Sequence, residues 1–252
     1  MTLVQEAYRA DTSWRAKLRR RTVRLASRRP ARAPRRPMLS FAFDDVPASA
    51  AETGAEILEQ RGLKGSFYVA AALAGTDAPT GRMACADTVR RLGEAGHEIG
   101  CHTYSHLDCG QANAHDAVED VARNGETLAM WGLPRPTTFA YPYGDVAAAT
   151  KRALAGRFAL MRALHQGLIT AGADLNQAPS VGVEGPDGEA QALRWLDRLA
   201  ERPAWLILTT HDVADEPSEW GCTPTTLARL VDVALAEGVE VVTVAEGAAR
   251  LG

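Results

Sequence analysis

Cysteine is scarce. Cys85, Cys101, Cys109 and Cys222 are the only four in 252 residues, too few for a disulfide scaffold. Small, reduced packing residues are the expected role. Aromatic residues are also few, at 6%. No apolar run approaches the ~18 residues that a membrane-spanning helix needs. The N-terminus carries no continuous apolar segment of the kind found in a secretory signal, so a cytoplasmic chain is expected. What is there is ordinary: 46% hydrophobic and 23% charged residues, which excludes global disorder, collagen and coiled coil. The length allows one large domain or two small ones with a full core.

The net charge of −3 conceals an asymmetry. Residues 1–37 carry 12 Lys and Arg against two acids, Glu6 and Asp11, giving this arm +10. The remainder, 38–252, carries −13. Such an arm seeks a polyanion, either anionic lipid or nucleic acid. Asp11, Thr12 or Ser13 can cap a helix from Trp14 to about Arg28, with Trp14, Leu18 and Leu25 on one face and Arg21 interrupting it. Arg29–Arg36, with Pro30 and Pro34, reads as an extended linker.

From Met38 onward, short apolar runs alternate with amphipathic segments. The runs Met38–Phe43, Gly65–Ala70, Glu98–Cys101, Thr138–Ala140, Phe158–Met161, Ser180–Val183, Trp205–Thr210 and Val239–Val244 predict strands. The clearest helix follows Thr223. Pro224 stands at its first position, Leu227, Leu230, Val231, Ala234 and Leu235 lie on one face, and Gly238 ends it. A shorter stripe runs through Leu193, Leu196 and Leu199. Repeated strand–helix alternation implies an α/β fold, a parallel sheet with helices outside, open or closed into a barrel. In either form, functional groups gather beyond the C-terminal strand ends.

Chemically capable residues stand at those ends. Asp44 and Asp45 close the first strand, His102 and His106 follow the third, Tyr141-Pro142-Tyr143-Gly144 follows the fourth, and His211-Asp212 follows Trp205–Thr210. Adjacent acids at a strand end call for a cation or a proton, and two histidines four apart can converge on one ion. Singly, each has a structural reading: a cap, a turn, a hydrogen-bonded loop residue. Their recurrence after successive strands favours one shared site. A structural Cys2His2 zinc site built on Cys101 and Cys109 would leave Asp44, Asp45 and His211 without a task. His97, His115 and His165 read as surface or packing residues.

This pattern resembles the polysaccharide deacetylases of carbohydrate esterase family 4, which share the NodB homology domain. Phe43-Asp44-Asp45 is similar to the family's first motif, with Val46 where Gly is usual. His102-Thr103-Tyr104-Ser105-His106 matches the second motif in full. Phe139–Gly144 resembles a variant third motif, and Leu206–His211 the last. The resemblance implies a distorted (β/α) barrel of about seven strands over residues 38–252, preceded by the basic N-terminal arm and linker of residues 1–37.

The resemblance also implies roles. Asp45, His102 and His106 would bind one divalent metal, zinc first, with manganese or cobalt as alternatives. Three N/O ligands leave a position open for water, as at catalytic zinc. Asp44 would be the general base, His211 the general acid, and the backbone N–H of Tyr143 an oxyanion donor. Two departures stand out. Ala140 occupies the position of the third-motif Arg, which pairs with the base, and Arg162 is the expected substitute. The fourth-motif acid that orients the catalytic His has no clear counterpart; Asp174 is a candidate, and Asp212 is expected to point elsewhere. Pro142, Tyr104, Trp220 and Leu208 are candidates for the substrate site, though core packing explains Tyr104, Trp220 and Leu208 at least as well. Residues 215–224 are expected to form a rim loop.

The function implied is removal of acetyl groups from N-acetylhexosamine residues of a bacterial exopolysaccharide or its lipid-linked precursor. A cytoplasmic member with such an arm looks like the deacetylases of holdfast adhesins. Its partners would be an N-acetylated glycan or lipid-linked oligosaccharide and, through residues 1–37, the anionic inner face of the inner membrane. No motif reads nucleic-acid bases. Deformylation or O-deacetylation of a lipid-linked sugar uses the same chemistry, and a non-catalytic glycan-binding protein is the reading from another class.

Overall fold

A computed structural model describes residues 22–252 of the chain. The strands are β1 (Met38–Asp44), β2 (Ser66–Val69), the short pair β3 (Asp77–Ala78) and β4 (Gly81–Arg82), β5 (Glu98–Cys101), β6 (Thr138–Ala140), β7 (Leu160–Arg162), β8 (Val181–Gly182), β9 (Trp205–Thr210) and β10 (Glu240–Val241). The helices are α1 (Ala55–Glu59), α2 (Ala86–Glu94), α3 (Ala114–Met130), α4 (Ala148–Leu154), α5 (Gly188–Ala200), α6 (Pro224–Ala236) and α7 (Val244–Leu251).

The main sheet runs β7-β6-β5-β2-β1-β9-β8 with every pairing parallel, and β10 adds to the start of β1. Its two ends meet at one parallel bridge between Arg162 and Ala178, just before β8. The sheet is therefore a seven-stranded curled barrel, distorted and barely closed, as the resemblance implied.

Alternation along the strands sorts the residues into two layers. Leu39, Phe41, Phe43, Phe67, Val69, Leu206 and Leu208 point outward and pack beneath α1, α2, α5 and α6. Each fully buried Leu or Phe there contributes about 1.5–3 kcal/mol. Met38, Ala42, Tyr68, Ala140, Leu160, Trp205 and Ile207 point inward and fill the barrel. Val244, Ala248 and Leu251 of α7 join this inner cluster and seal the N-terminal mouth. The half-buried Glu98 carboxylate lies there, accepting from Ser66 Oγ at 2.7 Å and Ala245 N–H at 2.8 Å. Sealing that end leaves the C-terminal end for chemistry.

Element boundaries differ from the sequence reading where capping competes with strand pairing. Val239–Val244 pairs only at Glu240–Val241, because Thr243 and Glu246 form a capping box and Val244 already begins α7. Phe158–Met161 moves forward to Leu160–Arg162, which places Arg162 within a strand. α6 starts at Pro224 as expected, with the Thr223 side chain capping it, and Leu227, Leu230, Val231 and Ala234 are buried, but Leu235 lies at the edge of the face, 42% exposed.

The expected Trp14–Arg28 helix lies largely outside the described residues; residues 22–23 are helical and 24–27 turn. The Arg29–Arg36 segment is extended, but it is bound to the body rather than crossing solvent, and with residues 22–28 it forms a strap ahead of β1. Ala31 N–H donates to Ala173 O at 2.7 Å, Leu175 N–H to Arg29 O at 2.8 Å, and Arg29 N–H to Asp174 Oδ1 at 2.9 Å. Val23 is buried, and its carbonyl accepts from Lys151 Nζ at 3.0 Å. Lys151 is itself wholly buried and ion-paired to Asp174 Oδ2 at 2.6 Å. Removing one partner of such a pair strands a charge in the interior. Asp174→Ala is accordingly expected to lower stability by about 3 kcal/mol in urea unfolding; an unchanged midpoint would show that the strap is held otherwise.

Candidate active site

The inward series of each strand continues past its C-terminal end, and those continuations form the site. On β1 the inward positions are Ser40, Ala42 and Asp44; on β5, Glu98, Gly100 and then His102; on β7, Leu160 and Arg162; on β9, Trp205, Ile207, Thr209 and then His211. Gly100 is required because any Cβ there would overlap the Tyr68 ring, which lies across the barrel as the floor of the site.

Asp44 is buried and bonded by Arg162 Nη2, and Thr209 Oγ1 donates to its other oxygen at 3.5 Å. The Arg162 guanidinium is fully buried, 4.9 Å above the Tyr68 ring. Arg162 pairs in register with Ala140, the position where the resemblance expects an arginine. Ala140 and Arg162 both face inward, so the guanidinium enters the same layer from one strand over. Burial alone would raise the Asp44 carboxyl; Arg162, helped by His102 and His211, outweighs it and holds the pKa at about 2.

Asp45, His102 and His106 offer one ligand atom each, all within 4.8 Å of one another. Asp45 Oδ1 lies 3.7 Å from His102 Nε2 and 3.4 Å from His106 Nε2. That oxygen is buried with no hydrogen-bond partner among the described residues. Burial raises the Asp45 carboxyl, against the pull of His102 and His211. Burial lowers both metal-side histidines to about 4, so their rings are neutral and keep lone pairs at physiological pH. His102 Nδ1 donates to Ala140 O at 2.8 Å, leaving Nε2 as the ligand atom. An unpartnered buried carboxylate oxygen facing two neutral imidazoles fits a divalent cation. His115, Asp116 and Glu119 also lie within ligand reach of one another, but all three are exposed on α3.

His211 is part-buried, and its Nδ1 lies 3.3 Å from Trp220 O, a carbonyl that can only accept. That carbonyl also receives His211 N–H at 3.1 Å. Trp220 therefore orients His211 through its backbone, and among the described residues no acid is bonded to His211 Nδ1. Asp174 lies at the strap with Lys151, and Asp212 holds the rim loop through Ser218 N–H at 2.8 Å and Ser218 Oγ at 2.5 Å. Tyr143, in the turn Pro142–Gly144, stacks edge-on against His106 at 4.5 Å between ring centroids. Pro142, the first residue of that turn, is buried. Tyr104 is turned toward α3 with the Arg123 guanidinium 3.8 Å over its ring, so it joins a helix contact rather than the Asp–His cluster. Cys101 faces outward, away from His102, and all four cysteines are free.

Several contributors carry no sequence signal, because the Ala140 and Trp220 carbonyls are backbone atoms. Thr209 was legible only through its inward parity with His211. Glu184 stands two residues beyond β8, folded back over Gly182, its carboxyl raised by burial and close enough to feel His211 and Asp44. Two clefts flank the rim loop. One, of about 420 Å³, lies against Val183, Glu189 and Thr226; the other, of about 470 Å³, lies against Ser49, Pro79 and Arg82.

Backbone strain gathers at this end. Asp45, Val46, Thr103, His106 and Tyr143 all have φ between 57° and 61°. Val46 is the sharpest case, a β-branched residue in the left-handed region.

The family model for polysaccharide deacetylases matches residues 31–158. A chitin deacetylase of Arthroderma benhamiae is 31% identical over 106 residues, which is 42% of this chain and 27% of that protein. The chain thus aligns with about a quarter of that relative's length. Among solved structures, the chitin deacetylase of Colletotrichum lindemuthianum superposes with a TM-score of 0.62 at 20% identity, covering 88% of this chain and 91% of that one. A family 4 acetyl xylan esterase from Clostridium thermocellum, solved with a cobalt ion, gives 0.55 at 20% identity, covering 83% and 89%. At these identities the two structures share the fold.

The Asp44 pKa sets an acid limb for the metal-free protein. The folded value of about 2 lies below the ordinary 3.8, so the Arg162 contact stabilises fully above pH ~4 and is lost as pH falls through ~2. Wild type should lose on the order of 2 kcal/mol over that interval that Asp44→Asn does not lose. Parallel acid limbs in urea unfolding would contradict the pairing.

Proposed function

The chain belongs to the polysaccharide deacetylases of carbohydrate esterase family 4, with the NodB fold, and from this we propose a metal-dependent N-deacetylase. Its substrate would be N-acetylhexosamine residues of a bacterial exopolysaccharide or its lipid-linked precursor. The observation that carries the reading is the unpartnered Asp45 Oδ1 facing two neutral histidines, beside a buried, ionised Asp44.

Asp45, His102 and His106 would hold the ion, for which we propose zinc. When bound, such an ion supplies Lewis acidity, polarising a carbonyl oxygen and acidifying water. Asp44 takes a proton from the attacking water as the C–O bond forms. Arg162 keeps Asp44 ionised and aimed. The Tyr143 N–H donates to the developing oxyanion. His211, held through Nδ1 by Trp220 O, gives a proton from Nε2 to the leaving nitrogen as the C–N bond breaks. The products are acetate and a free amine on the sugar. The clefts on either side of the rim loop give room for neighbouring sugars of a chain.

The test is acetate release from short β-1,4-N-acetylglucosamine oligomers by zinc-loaded protein. Asp44→Asn should lower the rate by about 10²–10⁴-fold. Chelation should abolish release, and added zinc should restore it. Arg162→Ala should lower kcat. Release from acetylated xylan alone would move the reading to ester hydrolysis; no release from metal-loaded protein on either substrate would leave a glycan-binding protein.

We also propose that the basic arm seats the enzyme on the cytoplasmic face of an anionic membrane. Arg24, Leu25, Arg28, Arg32, Arg35 and Arg36 are all exposed along the strap. Each basic residue near an anionic leaflet adds up to ~1 kcal/mol. The segment from Val23 to Arg32 is bonded into the body, so the informative deletion is residues 1–21. That deletion should weaken flotation with phosphatidylserine vesicles, and high salt should do the same to the full chain. Equal flotation of both proteins would sink this role for the arm.

A further inference from the structure

Asp120, Arg123 and Asn124 share one face of α3 and reach the C-terminal ends of β2 and β5. Asn124 is fully buried. Its Oδ1 accepts from Ala71 N–H at 3.0 Å, and its Nδ2 donates to Val69 O at 2.9 Å. Arg123 covers the Tyr104 ring and donates to its hydroxyl at 3.3 Å. Asp120 makes the densest set. Its Oδ1 accepts from Tyr104 N–H at 2.6 Å and Ser105 N–H at 2.9 Å, and its Oδ2 accepts from Ser105 Oγ at 2.9 Å.

Tyr104 and Ser105 lie between the two histidines of the cluster. For His102 and His106 to meet at one point, the chain must turn within three residues. It does so with Thr103 at φ 61° and His106 at φ 57°, a region that side chains disfavour. Successive N–H groups in such a turn point to one side and form a small anion-binding concavity. Asp120 fills that concavity from the neighbouring helix. Aspartate is a poor residue for a helix interior, and here its tertiary partners supply the reason for it.

We propose that Asp120 is a positioning residue for the metal cluster, its carboxylate holding the left-handed turn that brings His102 and His106 onto one ion. The inference rests on reading Asp45, His102 and His106 as a metal site. It adds to that reading a helix-borne group that touches neither metal nor substrate and sets metal affinity through the loop.

The test is zinc titration of the full chain against a chromophoric chelator, with thermal unfolding and amide exchange at Tyr104 and Ser105 measured alongside. Asp120→Ala should raise the zinc Kd by about 10–100-fold and speed exchange at both amides. Asp120→Asn, which keeps an acceptor oxygen, should fall between Asp120→Ala and wild type. Val121→Ala, on the next residue and buried in the core, should lower Tm and leave the zinc Kd unchanged. If Asp120→Ala does not fold, Ser105→Ala removes one of the three bonds and should raise the Kd by a smaller factor. A Kd within twofold of wild type for both Asp120 variants would overturn the proposal, as would an equal loss in Val121→Ala. Wild type that binds no zinc would defeat the metal reading itself. In that case the exchange rates decide whether Asp120 holds the turn, and unchanged rates overturn it.

Discussion

The Arg162–Asp44 ion pair is the contact on which the rest of the site depends. A carboxylate buried alone would take up a proton. Arg162 prevents this, and does so from the strand whose backbone also closes the sheet through its bridge to Ala178. One residue therefore joins the barrel's two ends and keeps the candidate base ionised. Tyr68 beneath the guanidinium and the absent side chain at Gly100 shape the floor on which the pair sits. A loosened closure would release the guanidinium as well as the strand.

Above this pair the structure concentrates strain. Five non-glycine residues in left-handed conformations line the strand ends. Such positions persist only when their surroundings over-determine them. The surroundings are visible: Asp120 on the turn between the histidines, the Ala140 carbonyl on His102, and the Trp220 carbonyl on His211. Backbone carbonyls orient both imidazoles. They cannot be protonated and can only accept, so each fixes one ring tautomer and leaves Nε2 directed to the site.

Strand–helix alternation was legible because its short apolar runs recur between amphipathic segments. Glu98–Cys101, Thr138–Ala140 and Trp205–Thr210 form as strands at the expected bounds. Asp44, Asp45, His102, His106 and His211 were legible as candidates because each follows a strand. The direction of Tyr104 was not legible, since the deciding partner, Arg123, comes from a helix contact. The anchoring of residues 23–32 was equally hidden: it depends on Lys151, Asp174 and the backbone of residues 172–175, over a hundred positions away.

The order of elements, the parity of inward and outward residues, and the chemically capable side chains at strand ends can all be read along the chain. These are local properties of spacing and side-chain type. How those ends face one another is set by contacts between segments far apart in the chain. The in-register pairing of β6 with β7 sets Arg162 beside Ala140 and delivers to Asp44 the charge that the nearer strand lacks. Strand register and the curl of a sheet arise from pairings between distant segments. No local pattern encodes them.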